Sequence, residues 1–228
     1  MVHSAPFAGP LRLGVACAPL NGFQYGGYMT RFLFVFSVLA LGYLWFQDRD
    51  MQPISHPPGI LVREQPLQVD LQPSVFMLDD YHVTRKARFE IRARVLSSEP
   101  YFMGRGGDLA PVDLALGWGV MSDQAVLDQI DISQSSRWYH TRYDLPPPVP
   151  DQQIISSSSN MHMIPARKDI ERTLKKLRVG AIIKLKGYLV DVDHDSGWHW
   201  RSSMSRTDTG GGACELVYVE SLQVEPPG

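Results

Sequence analysis

Two hydrophobic periods organise most of this chain, and one unbroken apolar run lies ahead of them. From Tyr81 to Val95 the odd positions are apolar and the even ones polar, with Arg85 the exception. Alternation of period two marks a strand with one face on a core and the other toward water. From Arg167 to Arg178 the pattern changes, and Ile170, Leu174 and Leu177 fall at the spacing of one helix face, with Gly180 placed to end the helix. Strands are expected again at Ala181 to Asp193, Trp198 to Ser203 and Cys214 to Val224. The turn His194 to Gly197 and the loop Thr207 to Gly212 would join them. Gly187 interrupts the first of these strands and is read as a bulge. Pro111 to Ile130 reads as two short helices or one broken one, with Pro111 at a first helical position and Ser122 or Asp123 as a cap. Ile132 to Tyr143 is β-like, and the chain breaks at Pro146 to Pro148.

A long bent strand, strands opened by glycine and a helix between strand groups are the parts of a small closed or nearly closed barrel. The run from Val179 to Val190 resembles the G-x-x-V-x-V-x-G strands of OB-fold domains, over a dozen residues. The expected fold is therefore α+β and β-rich: a small, bent-strand, OB-like barrel with two or three short helices, preceded by one N-terminal transmembrane helix.

That transmembrane helix is read from Phe32 to Phe46, FLFVFSVLALGYLWF, which carries no charge and nothing more polar than Ser37 and Tyr43. At ~1.5 Å per residue the run is shorter than a ~30 Å hydrocarbon core, so residues 29–31 must help, with Arg31 reaching outward. Ala40-Leu41-Gly42 is a poor cleavage site because four apolar residues follow it, which favours an uncleaved anchor over a removed signal peptide or a buried core helix. The expected organisation is a disordered or untranslated leader at 1–28, a membrane anchor at 29–47, a proline-rich spacer at 48–78 and a single globular domain at 79–228. The expected location is a bacterial inner membrane, crossed once, with the domain in the periplasm.

Composition narrows the partners. A hydrophobic share of 44% with 20% charged residues suits a folded domain rather than a disordered chain. A net charge of -2 provides no global field to collect nucleic acid, so a nucleic-acid partner is disfavoured and any anion binding needs a local patch. The cysteines, Cys17 and Cys214, lie on opposite sides of the apolar run and cannot pair within one chain if that run crosses a bilayer.

Chemically capable residues crowd between Trp198 and Glu215. In a strand Trp198 and Trp200 share one face while His199, Arg201 and Ser203 share the other. Ser203, Arg206 and Asp208 precede the glycines 210–212, an arrangement able to hold an anionic group. The plainer reading is a hairpin with both tryptophans in the core and Arg206 paired with Asp208 or Glu215. Cys214 with His162, His194 or His199 is the candidate nucleophile and base for acyl transfer. The first strand offers Lys86, Arg88, Arg92 and Arg94 as a phosphate-tracking or glycan-tracking face, or simply a solvated one. Asp191 to Gly197 imitates a calcium loop but lacks glycine at its sixth position and a carboxylate at its twelfth. Asn160 to Met163 offers soft ligands for copper, against the simpler expectation of methionines facing inward. No cofactor or metal is expected.

The leading functional expectation is a membrane-tethered envelope binding or assembly module that recognises a protein or an anionic polymer. Its alternatives are an envelope hydrolase built on Cys214 or on Trp198 to Asp208, and an OB-type nucleic-acid binder.

Overall fold

The structure is a computed structural model that describes residues 31–39 and 52–226. The chain divides into two units, Met1–Gln47 and Asp48–Gly228. In the first, residues 31–39 form a helix, α1, with exposed side chains, and Ser37 Oγ donates back to the Leu33 carbonyl at 2.8 Å. Among the described residues, no helix is long and apolar enough to cross a membrane. The leader expected at 1–28 lies outside the described residues, as does most of the anchor expected at 29–47.

The second unit is α+β and strand-rich, with a curved sheet and few helices. Its strands are β1 (Leu67–Leu78), β2 (Tyr81–Pro100), β3 (Val112–Gly117), β4 (Asp131–Ser135), β5 (Trp138–Arg142), β6 (Ser158–Pro165), β7 (Ile182–His194), β8 (His199–Trp200) and β9 (Glu215–Val224). The short helices are α2 (Gly104–Leu109), α3 (Gln124–Leu127), α4 (Asp151–Ser156) and α5 (Lys168–Leu174), with a 3-10 turn at Gly119–Ser122. Seven strands form one sheet in the order β1-β2-β3-β6-β9-β7-β8, and β7 also pairs with β2. Following the pairings from β2 through β3, β6, β9 and β7 therefore leads back to β2. All of these pairs are antiparallel except β6 with β9. β4 and β5 form a separate hairpin.

Alternation explains where the core sits. Ala87, Phe89, Ile91, Ala93 and Val95 of β2 face inward with Leu114 and Leu116 of β3, Met161 and Met163 of β6, Leu185 of β7 and Val217 of β9. The bulge expected at Gly187 is present as a register shift between Lys186 and Gly187 against β9. A Cβ at Gly187 would lie 1.9 Å from the Tyr218 carbonyl oxygen, so only glycine allows the two backbones to approach this closely.

Three expectations are corrected. Val112–Gly117 is strand β3, not helix: all six of its residues are buried and Asp113 alone among them is polar, so no alternation reveals a strand. Helix appears only later, as the 3-10 turn and α3, where Asp123 caps by accepting from the Ala125 amide. The proline-rich stretch carries more structure than a spacer: Val62 is fully buried, Ile54 N bonds the Val179 carbonyl at 2.8 Å, and β1 pairs with β2 from Leu67. The strand expected at Trp198 to Ser203 shrinks to His199–Trp200 because Arg201 and Ser202 turn their bonds to β7 and to Leu216 instead of extending a ladder.

Candidate functional site

Polar chemistry in this unit collects in three places. The first is the outer face of β2 and β7. Lys86 meets Asp191 at 3.3 Å, Arg92 donates to both oxygens of Glu225 at 2.8 Å, and Lys186 meets Glu90 at 2.9 Å. The Arg92 bonds hold the Glu225 carboxyl down to about 2. Arg94 is buried rather than displayed, and donates to the Ser122 carbonyl at 3.2 Å and to Gln124. Burial without a carboxylate partner lowers its pKa. Arg88 alone of these residues stays exposed with no ion pair among the described residues. The cations read from the sequence as an anion track are therefore mostly neutralised within the sheet.

The second place is the outer face of β3 and β6, covered by the β4–β5 hairpin. Asp113 of β3 stands opposite His162 of β6 in register. Ser136 and Arg137 form the two-residue hairpin turn with φ of 52° and 71°. Non-glycine residues there cost about 1–3 kcal/mol each and persist only where the surroundings hold them. The surroundings do: Arg137 Nη1 donates to Asp113 Oδ1 at 2.6 Å, both terminal nitrogens donate to the Ala110 carbonyl at 3.2 Å, and the guanidinium lies 3.8 Å from the Tyr101 ring and 5.0 Å from the Trp200 ring. Asp113 is fully buried. His162 Nδ1 sits 2.9 Å from the same Asp113 oxygen without hydrogen-bond alignment, and its ring packs 4.7 Å from Trp200. Asp113 Oδ2 has no hydrogen-bond partner among the described residues.

The third place is where the loop before β9 folds back. Arg206 donates to Glu215 and to Gln68 of β1, Ser159 donates to the other Glu215 oxygen, and the guanidinium lies over the Phe89 ring. Burial pushes the Glu215 carboxyl up to about 7, against the pull of Arg206 and Ser159. Ser203 Oγ donates to Asp208 at 2.7 Å and so pins the loop. The sequence offered Arg206 either Asp208 or Glu215 as partner; the fold assigns it Glu215.

Trp198 and Trp200 pack edge to face at 6.0 Å and lie half-buried against the cluster of Val83, Leu109 and Val192. Arg201 turns outward to Asp193 at 2.5 Å, and that bond holds the Asp193 carboxyl below its usual range. The acidic turn that imitates a calcium loop separates its carboxylates: Asp191 takes Lys86 and Ser202 N, Asp193 takes Arg201, and Asp195 takes His82. The copper set is divided by the pleat, with Met161 and Met163 in the core and His162 on the opposite face. Among the described residues no cluster of three metal-binding side chains occurs.

The chain matches no known family, curated protein or solved structure.

Cys214 lies in the wall of a cavity of about 200 Å³ between β5, α4, the start of β6 and the loop before β9. Its thiol is raised by burial, with Glu215, Asp113 and Asp208 adding to the rise; Asn160 Nδ2, 3.5 Å away, opposes it. Each histidine weighed as its base has another partner: His162 sits by Asp113, His194 bonds Ser196, and the exposed His199 lies near the Gly197 carbonyl. A protonated thiol without an adjacent base is a weak nucleophile. Asp113, Arg137 and Tyr101 were missed by sequence reasoning. A lone aspartate inside the apolar run of β3 was the one available signal, since a buried charge requires a partner.

Proposed function

We propose that this chain is a membrane-tethered binding or assembly module built on an OB-like barrel, with the charged clusters of its folded unit holding the fold rather than performing catalysis. The observation that carries this reading is the cyclic pairing of β2, β3, β6, β9 and β7. One parallel pair and a helix, α5, between β6 and β7 are what an OB-like arrangement requires. The tether rests on the uncharged run from Phe32 to Phe46. The hydrolase alternative, built on Cys214 or on Trp198 to Asp208, needs in its cysteine form an activated Cys214, and burial beside three carboxylates acts in the opposite direction. The nucleic-acid alternative depends on an open cationic face; the basic residues of β2 and β7 are answered by acids, and β3 is covered on both faces.

The test is fractionation of cells that produce the full chain, with a topology reporter fused after Gly228. The expected result is retention in the membrane fraction after an alkaline wash, with the reporter active on the outer side. Recovery in the soluble fraction overturns the tether, and a reporter active only in the cytoplasm overturns the envelope location.

A further inference from the structure

The cavity beside Cys214 is bordered by two stretches of backbone that have a strand partner on one side only. Among the described residues β5 pairs with β4 and with no other strand, and β6 begins pairing with β9 only at Met161, so Ser158, Ser159 and Asn160 have β3 alone there. The pair next to a two-residue hairpin turn, here Ser135 with Trp138, exchanges both of its bonds, and pairs then alternate. Tyr139 and Thr141 therefore turn their N–H and C=O groups away from β4, and both residues line the cavity. Ile154, Ile155 and Ala213 give its lining an apolar part beside Ser158, Ser159 and Asn160, and half-exposed Trp138 lines it too. At about 200 Å³ it falls below the ~300–1,000 Å³ of pockets that enclose a whole small ligand. It is the size for one side chain of something longer.

Charge selects the kind of chain that fits. At the open end of the hairpin, beside the cavity, Asp128, Asp131 and Asp144 surround Arg142 and Asp151 follows; Arg137 in the turn is answered by Asp113, and Asp208 lines the cavity itself. Arg206, the cation in the cavity wall, is answered by Glu215.

We propose that the slot between β5 and the start of β6 takes an extended, basic peptide segment of a partner protein, which adds to the β5 edge through Tyr139 and Thr141 and sets one apolar side chain into the cavity. Strand addition of this kind draws affinity from main-chain bonds and specificity from the alternate side chains that meet pockets. The proposal rests on the binding-module reading above and names its partner class.

Cys214 supplies the readout. The full chain in nonionic detergent is treated with N-ethylmaleimide, alone or with a blocked heptapeptide of alternating lysine and valine, and alkylation of Cys214 and Cys17 is followed separately by mass spectrometry. The lysine-valine peptide is expected to slow Cys214 at least tenfold and leave Cys17 unchanged, while a glutamate-valine peptide changes neither. Thr141→Pro removes an outward N–H without touching a β4–β5 bond and is expected to abolish the protection. Anisotropy of the labelled lysine-valine peptide reads the same site independently of thiol reactivity, with at least a tenfold weaker Kd expected for Thr141→Pro. Unchanged Cys214 alkylation together with no anisotropy change at saturating peptide, or equal protection and affinity in Thr141→Pro, overturns the slot. A negative peptide result with the chain still in the membrane fraction overturns the slot alone. A chain found in the soluble fraction overturns the tether alone.

Discussion

The outer face of β2 and β7 and the covered face of β3 and β6 both carry ion pairs, yet the two sets do different work. On the outer face Lys86–Asp191 and Lys186–Glu90 stand in reach of water, with lysine side chains 35% and 63% exposed. On the covered face Arg137 meets an Asp113 side chain that is wholly buried. Water screens the first set, and each member can be removed at small cost. The second set has no such alternative: a buried carboxylate that loses its cation stays in a low-dielectric site. Position in the fold, more than pair geometry, therefore separates decoration from structure.

The difference is most sharply exposed by Arg137→Ala, which strands Asp113. A loss of about 3–5 kcal/mol is expected in urea unfolding, along with release of the hairpin turn at Ser136 and Arg137. Next in size is a pH effect at the other buried carboxylate. Glu215 is raised to about 7 in the folded chain from the ordinary glutamate value of 4.5, so the folded chain binds this proton more tightly than the unfolded chain does. Its stabilising contribution is complete below pH 4.5 and is lost as pH rises through 7. Unfolding free energy followed over that window should fall by up to about 3 kcal/mol on this account, and Glu215→Gln should flatten the slope. Smaller still is Arg92→Ala on the outer face, which removes a bidentate bond to Glu225 between side chains 29% and 26% exposed and is expected to cost about 1–2 kcal/mol in the same urea assay. Glu225, held down to about 2, contributes above pH 4.5 and loses that contribution as pH falls through 2, the opposite direction from Glu215. Lys86→Ala should move the urea midpoint least, by a few tenths of a kcal/mol. A Lys86→Ala loss as large as that of Arg137→Ala would erase the contrast between the two faces.

Much of the half-buried architecture could be read in advance, because a strand with one wet face declares itself. Tyr81 to Val95 lies within β2, Ala181 to Asp193 is β7 to within a residue, and Cys214 to Val224 is β9. The bulge at Gly187 was legible from a glycine inside a strand pattern. β3 was not, because burial on both faces removes alternation and leaves an apolar run that also suits a helix. β1 was hidden by Pro66 and Pro73, which sit at its start and at its irregular register, where an edge strand tolerates them. The Arg137–Asp113 contact was least legible of all. It joins residues 24 apart through a Ser-Arg turn that lacks the asparagine and glycine by which such turns are recognised. The binding residues read between Trp198 and Glu215 divide among the half-buried tryptophans, the outward Arg201–Asp193 pair and the Arg206–Glu215 and Ser203–Asp208 contacts, while Arg88, Arg92 and Arg94 diverge to solvent, to Glu225 and to the interior.

The claim that buried charge holds the hairpin on the sheet has one direct test, a double-mutant cycle of Arg137→Ala and Asp113→Ala read by urea unfolding. A coupling free energy of about 2 kcal/mol or more is the predicted result. Additive losses, with no coupling between the two positions, would contradict it.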